Sequence, residues 1–425
     1  MSTDPVEEFR EVAAAHRRCF WLDGGGAREW SGRRSLVGWL EDDDASLTYS
    51  ASTREVTRHV GSSSEVVGED VFAVLQSELD AGSPRDQWFG YFGYASRPDL
   101  PAYPSTDVPD AVWMRPSHVR LFSHGLSRSN SRLAAQPSAA QREFHRLAGE
   151  TPPAYADAFE RVQEHLHAGN SYEVNLTYRE EQVSGLDPVT AYLRLRELNP
   201  APYAGFLQHD VEGARAWLLS SSPERYALIT GDRTIETKPI KGTTPRGDDP
   251  LSDEEERQLL ATDPRYRAEN LMIVDLLRND LSMVCEPGTV QVPTLMNVES
   301  YATVHQLVST VRGRLREDVG TVAALRALFP AGSMTGAPKL RTMQIIEEVE
   351  STPRGAYAGA FGWLAADGRA DLGVVIRSLT TTGDGTYRLG TGGGITVHSE
   401  VAGELAESRW KAERVKRALS EEPPA

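Results

Sequence analysis

The sequence predicts a mixed α/β protein, and three stretches carry that prediction. Tyr155, Phe159, Val162 and Leu166 recur at helical spacing, with Gly169 just past the end as a stop. Tyr172, Val174, Leu176 and Tyr178 then alternate with Glu173, Asn175, Thr177 and Arg179, the period-two pattern of a half-buried strand whose polar face is open to function. From 216 to 241, strand-like runs follow one another around the turns Ser220-Ser221-Ser222-Pro223 and Gly231-Asp232.

Residues 1–122 read as an N-terminal α/β subdomain, with a Gly-rich turn at 24–26 and a strand at 46–50. The run Trp88-Phe89-Gly90-Tyr91-Phe92-Gly93-Tyr94 supplies core rings, and its glycines suit bends or close backbone approach in a sheet. Residues 101–116 are Pro-rich and 123–153 are rich in Ser, Ala, Gln and Arg, which makes 123–153 the expected linker. Residues 154–419 are the expected second domain, and 420–425 a frayed tail. Within that domain Ser252 with Glu255 three residues on forms a capping-box pattern, and a further helix runs from about 264 to 280. Glu269 shares a face of this helix with Met272, Ile273 and Leu276, and a carboxylate among apolar neighbours needs a partner. The remaining pattern predicts strands over 307–315, 357–365 and 372–380, a helix over 322–329, and a closing helix from about 399 to 419.

Composition removes several classes of function. With 25% charged, 40% hydrophobic and 8% aromatic residues, the 425-residue chain is that of a folded globular protein. A formal charge of −16 argues against a nucleic-acid surface, so no nucleic-acid partner is expected. An anionic substrate requires local Lys and Arg or a bound cation to reverse that field. No apolar run approaches the roughly 20 residues of a membrane span, and Asp4, Glu7 and Glu8 do not fit a signal peptide, so no membrane association and a cytoplasmic location are expected. Cys19 and Cys285, far apart, suit buried small hydrophobes better than a disulfide or zinc site.

The chemistry centres on Pro239-Ile240-Lys241-Gly242-Thr243, where Pro239 fixes its own φ and Gly242 frees the next, presenting Lys241 on a bend. Taken alone, such a lysine is a solvated charge. Gly332-Ser333-Met334-Thr335-Gly336-Ala337-Pro338-Lys339 lacks the spacing of a P-loop, and 390–394 lacks the third glycine of a dinucleotide fingerprint. Both read as tight turns whose N–H groups can bind carboxylates. Glu404 and Glu407 share a helical face; together with Glu269 they would make a hard oxygen site of the kind Mg²⁺ uses. His305 reads equally as a core histidine or an acid/base.

In combination these motifs resemble the chorismate-utilising enzymes, a family that includes the anthranilate, isochorismate, salicylate and aminodeoxychorismate synthases. The resemblance runs from about 219 to 416 through Ser221-Ser222-Pro223-Glu224-Arg225, the Lys241 stretch, Ala268-Glu269-Asn270-Leu271-Met272-Ile273-Val274-Asp275-Leu276, Arg278-Asn279-Asp280, Thr335-Gly336-Ala337-Pro338-Lys339 and Gly392-Gly393-Gly394-Ile395. It is weaker before 180 and patchy in the first 120 residues. Anthranilate synthases resemble Pro-Ile-Ala-Gly-Thr at the central stretch. Lysine there resembles the aminodeoxychorismate synthases.

The resemblance implies two packed sheet-and-helix subdomains forming a β-sandwich core with helices outside. It implies an enzyme that converts chorismate and ammonia to 4-amino-4-deoxychorismate, on the route to p-aminobenzoate and folate. Lys241 would add at C2 as a covalent nucleophile, its pKa lowered by burial or by cations such as Mg²⁺ and Lys238. Glu224 would protonate the departing C4 hydroxyl, and Glu269, Glu407 and Glu404 would hold Mg²⁺. Thr243, Tyr357, Arg377 and the backbone of Gly392, Gly393 and Gly394 would bind substrate, with His305 and Thr335 lining its ring. Tyr266 stands where some relatives carry a further acidic residue. Neither cysteine lies in a Gly-X-Cys-X-Gly setting, so a glutamine amidotransferase subunit acting in trans is the expected ammonia source.

Overall fold

In the computed structural model, residues 4–24, 34–124, 149–247, 249–301 and 304–420 are described. Most of the expected linker, residues 25 and 26 of the Gly-rich turn, and the tail from 421 lie outside them.

Local signals start the helices. In α1 (Pro5–Ala15), Asp4 accepts from the Val6 N–H, and Pro5 occupies a first-turn position where no N–H is missed. The chain then builds β1 (Arg18–Asp23), β2 (Arg34–Trp39), β3 (Ser46–Ser50), β4 (Glu55–Val60), β5 (Ser63–Gly68), α2 (Val71–Ala81), β6 (Gln87–Phe92), β7 (Ala111–Met114) and β8 (His118–Ser123). Next come α3 (Pro153–His167), β9 (Glu173–Val183), α4 (Pro188–Leu198), β10 (Tyr203–His209), β11 (Ala216–Ser222), β12 (Arg225–Ile229), β13 (Thr234–Lys238) and β14 (Ile240–Pro245). Then follow α5 (Pro250–Thr262), α6 (Pro264–Ser282), β15 (Gln291–Ser300), β16 (Val304–Arg314), α7 (Thr321–Leu328), β17 (Gly336–Ala337) and α8 (Lys339–Val349). The chain closes with β18 (Ala360–Ala365), β19 (Ala370–Val374), β20 (Ser378–Thr381), β21 (Thr386–Ile395) and α9 (Val401–Lys416).

The strands pair into two antiparallel sheets. One has nine strands in the order β17-β9-β21-β20-β11-β10-β1-β2-β8; the other has twelve, in the order β14-β16-β13-β12-β19-β18-β6-β7-β3-β4-β5, with β15 on β16. Strands from 1–122 extend both sheets, β1 pairing with β10 and β6 with β18. The sheets face each other across Phe20, Leu207 and Leu218 on one side and Phe89, Val112 and Phe361 on the other. Phe20 stacks on Phe89 at 3.9 Å between ring centroids, and a Cβ on Gly205 would lie 2.5 Å from the Phe361 ring. The glycine therefore lets the sheets approach. Helices cover the outer faces: Phe9, Tyr192 and Val415 pack over the nine-stranded sheet, and Phe72, Ile273 and Leu325 over the other. Full burial of each such apolar side chain is worth about 1.5–3 kcal/mol. The β-sandwich with helices outside is thus present. No helix among the described residues is long and apolar enough to cross a membrane.

The structure corrects five sequence expectations of the fold. Residues 390–394 are not a tight turn but part of β21, laddered to β9 from Gly390 opposite Arg179 to Gly394 opposite Asn175. The Lys241 stretch is a β-bulge rather than a turn. Thr237 opposite Val311 and Ile240 opposite Val308 keep one register on β16, whereas Thr243 opposite Gln306 is one residue out. The extra residue falls at Lys241-Gly242, where Gly242 takes φ +91°. The predicted strand over 372–380 is two strands in different sheets, because Arg377 at φ 50° turns the chain from β19 to β20. The capping box of α5 is Asp249 with Ser252, three residues earlier than predicted, because Pro250 suits the first turn and Asp249 is extended. Finally, β9 is buried on both faces: Glu173, Asn175 and Thr177 are as enclosed as Val174 and Leu176.

Candidate active site

Two crossings and one bulge bring the predicted residues together. The chain leaves the nine-stranded sheet at Ser222 and enters the twelve-stranded one at Arg225, with only Pro223 and Glu224 between. It returns through Val375, Ile376 and Arg377. At both crossings neither sheet takes the whole backbone, so the side chains of Glu224 and Arg377 are aimed where the sheets part. The bulge sends Lys241 to the same place. There the protein holds a cavity of about 840 Å³, lined by Glu224, Lys241, Thr243, Glu269, Tyr357, Arg377, Gly392, Gly393, Gly394, Glu404 and Glu407. Helix α6 brings Glu269 to this wall, and Asn270 anchors the helix to β16 by accepting from Ser309 and donating to the Leu307 carbonyl.

His305 and Thr335 are not brought to the wall. On β16 His305 shares hydrogen bonds with Ser300 (2.8 Å) and Asp253 (3.0 Å), while its neighbour Gln306 lines the cavity; successive strand residues face opposite ways. The structure therefore favours the core-histidine reading. Thr335 is fully buried, its hydroxyl donating to the Ala331 and Gly332 carbonyls, and Ser333 and Met334 form the wall in its place.

Charge in the cavity is uneven. Burial pushes the Glu224 carboxyl up to about 7, against the Ser333 hydroxyl that donates to it at 2.5 Å and the Lys241, Arg377 and Lys411 cations. Burial works against the charge on Lys241, but the carboxylates of Glu173, Glu269 and Glu224 outweigh it, so its pKa moves up. This is opposite to the expected direction, and Lys238 gives no help because its ammonium pairs with Glu299 at 2.6 Å. Burial and the nearby Arg414 lower the Arg377 guanidinium to about 10, and among the described residues no side-chain partner holds it. It is left to meet an anion. Tyr357 lies under the Arg179 guanidinium at 4.6 Å, and Gly390 must lack a Cβ because one would lie 2.2 Å from the Tyr357 ring.

The chemistry of the acidic donors fits Mg²⁺. Burial raises Glu269 to about 8, with Glu173, Glu404 and Glu407 opposing its ionisation, and raises Glu404 to about 7, with Glu407 adding to it. Glu407 is held low despite burial, chiefly by Lys411. A divalent cation among these groups would relieve that repulsion. Their present positions leave the set open: among the described residues no three acidic, His or Cys side chains are arranged to hold an ion. Glu404 instead accepts from Ser399 at 2.7 Å, and Glu407 pairs with Lys411 at 2.8 Å.

Sequence reasoning missed two groups of the site. Glu173, 1% exposed and not itself on the cavity wall, pairs with the Lys241 ammonium. Gln306, equally enclosed, has a side-chain oxygen with no hydrogen-bond partner. The polar face of β9 was the signal for Glu173; Gln306 carried none.

The chain belongs to the chorismate binding enzyme family, whose model matches residues 17–417. It is 38% identical to the aminodeoxychorismate synthase of Streptomyces pristinaespiralis, over 94% of this chain and 61% of that one. It is 40% identical to aminodeoxychorismate synthase component 1 of Escherichia coli (strain K12), over 71% of this chain and 66% of that one. The chain thus spans less than two thirds of the length of either relative. The fold is shared with the crystal structure of anthranilate synthase component I from Streptococcus pneumoniae TIGR4, at a TM-score of 0.72 and 24% identity over 91% of this chain and 92% of that one.

Proposed function

We propose that this chain makes 4-amino-4-deoxychorismate from chorismate and ammonia, with Lys241 as a covalent nucleophile and Glu224 as the acid. One observation carries the reading: a buried lysine on a β-bulge faces, in one cavity, a carboxyl whose ionisation is held near neutrality. The Lys241 amine adds at C2, the ring double bonds shift, and Glu224 protonates the leaving C4 hydroxyl to water. Ammonia then attacks C4, the double bonds shift back, and the lysine leaves; the proton that ammonia sheds returns to Glu224. Arg377 and the Gly392–Gly394 backbone hold the enolpyruvyl carboxylate, with Tyr357 and Thr243 beside them. Bound Mg²⁺ would supply positive charge for the ring carboxylate, held by Glu269, Glu404 and Glu407. The name "component 1" of the Escherichia coli relative supports a second component here, which we take to be the glutaminase that supplies ammonia.

Product identification with chorismate, Mg²⁺ and ammonium tests the proposal. Aminodeoxychorismate as the main product is expected; anthranilate, isochorismate or no turnover contradicts it.

Glu224 sets a pH dependence. With its pKa at about 7, the protonated form needed for hydroxyl loss is depleted as pH rises above that value. Adduct formation without ammonia should therefore fall about tenfold per unit above neutrality. In Glu224→Gln that fall should vanish and the rate should drop by about 10²–10⁴. Quenched-flow mass spectrometry across pH reads both. Glu269→Ala is expected to raise the Mg²⁺ concentration for half-maximal activity by about 10- to 100-fold, and an unchanged metal titration would remove it from the ligand set.

A further inference from the structure

We propose that Glu173 is the internal base that takes the proton from the Lys241 ammonium and so releases the attacking amine. The inference rests on the reading of Lys241 as nucleophile and adds a residue to it. The ammonium donates to Glu173 Oε1, while Oε2 is buried with no hydrogen-bond partner among the described residues. One carboxylate oxygen thus touches the reacting nitrogen, and the other can hold a proton without losing a bond.

The surroundings favour this contact. Glu173 opens β9 opposite Ala337 of β17, and the next residue, Val174, is paired on both sides, with Gly336 of β17 and Ile395 of β21. On β21 Gly394 leaves the room: a Cβ there would lie 2.1 Å from Glu173 Oε1 and 2.8 Å from Lys241 Nζ. The charged groups that act on Lys241 from other elements are Glu269 on α6, Glu404 and Glu407 on α9, and Glu224 at the sheet crossing. All have other work in the proposed reaction: Glu224 must stay protonated to donate, and Glu269, Glu404 and Glu407 would hold Mg²⁺.

The proton count closes. Glu173 carboxylate takes a proton from the Lys241 ammonium, and the freed lone pair forms the N–C2 bond. The C4–O bond breaks as Glu224 gives its proton, releasing water. When ammonia forms the C4–N bond, the C2–N bond breaks with its electron pair returning to lysine. Glu224 recovers a proton from the new C4 ammonium, and Glu173 returns its proton to Lys241. The sum is chorismate plus ammonia giving aminodeoxychorismate plus water.

The test is adduct formation on Lys241 in the full-length chain with chorismate and Mg²⁺ and without ammonia, followed by quenched-flow mass spectrometry. Wild type is expected to form the adduct at a rate independent of pH on the acid side of neutrality, because its lysine loses its proton internally. Glu173→Gln should slow the step about 100-fold or more, and the remaining rate should rise about tenfold per pH unit there, since solvent must now remove the proton. Glu173→Asp should restore part of the rate and the flat profile. If Glu173→Gln does not fold, Gly394→Ala, which displaces the carboxylate without removing it, should show the same slowing and slope. A wild-type rate and flat profile in the folded Glu173→Gln or Gly394→Ala protein overturns the role of Glu173. No adduct in wild type overturns the nucleophile reading instead.

Discussion

Lys241→Ala is expected to lower aminodeoxychorismate formation by about a thousandfold or more, as loss of a covalent nucleophile does. The substitution removes the only side-chain nitrogen that the bulge delivers to the cavity beside Glu224. It leaves the Glu173 carboxylate enclosed without its cation, so a loss of stability should accompany the loss of activity. The two effects separate in measurement. Circular dichroism should show the native sheet content below the melting transition, while product formation is absent at every ammonium concentration. Retention of most of the activity would refute covalent catalysis.

Arg354→Met is expected to destabilise the fold by about 3–5 kcal/mol, the usual cost of breaking a buried ion pair from one side. Arg354 is buried, donates to both Glu350 oxygens at 2.7 and 3.0 Å, and holds the Met334 and Asn175 carbonyls at 2.6 and 2.8 Å. Its removal leaves Glu350 with the Thr177 N–H and hydroxyl and with Arg179 at 3.6 Å. The arginine also joins three segments, the end of α8, the wall turn at Met334 and strand β9, so weaker chorismate binding should follow. Urea denaturation of the single variant, and of the double variant with Glu350→Gln, provides the check. The double variant should recover part of the loss because the Glu350 charge is no longer left without Arg354, while Arg179 keeps the Pro353 and Tyr178 carbonyls and the Thr177 hydroxyl. An unchanged midpoint in Arg354→Met would show that the network contributes nothing net.

What the sequence disclosed followed the range of each signal. Helix α3 was legible because its four apolar residues and the Gly169 stop are local, and all four are buried. Helix α6 was legible for the same reason. The sheet crossings were not, because Pro223-Glu224 and 375–377 are distinguished from ordinary turns only by which sheet each flanking strand joins, a property set by distant partners. The bulge at Lys241 is indistinguishable from a turn in the sequence because Pro and Gly punctuate both, and only the register on β16 separates them. Among candidate site residues, a dense motif did not by itself decide arrival: Glu224, Lys241 and Glu269 reach the cavity, whereas Thr335 turns its hydroxyl back to the Ala331 and Gly332 carbonyls. His305 is also absent from the wall, since one residue along a strand reverses the face, and Gln306 holds the inward place. Glu173 stood in a recognised polar alternation, but its pairing with Lys241 joins positions 68 residues apart. No local pattern reports such a contact.

On the proposed mechanism Lys241 carries the substrate covalently. Intact-protein mass spectrometry of the wild-type chain, incubated with chorismate and Mg²⁺ and without ammonia, looks for that adduct. A species heavier by one chorismate less one water is expected, localised to Lys241 after digestion and discharged as aminodeoxychorismate when ammonium is added. A protein that converts chorismate to aminodeoxychorismate with ammonium, yet shows no such species and no labelled Lys241 at any time before ammonium is added, would contradict that mechanism.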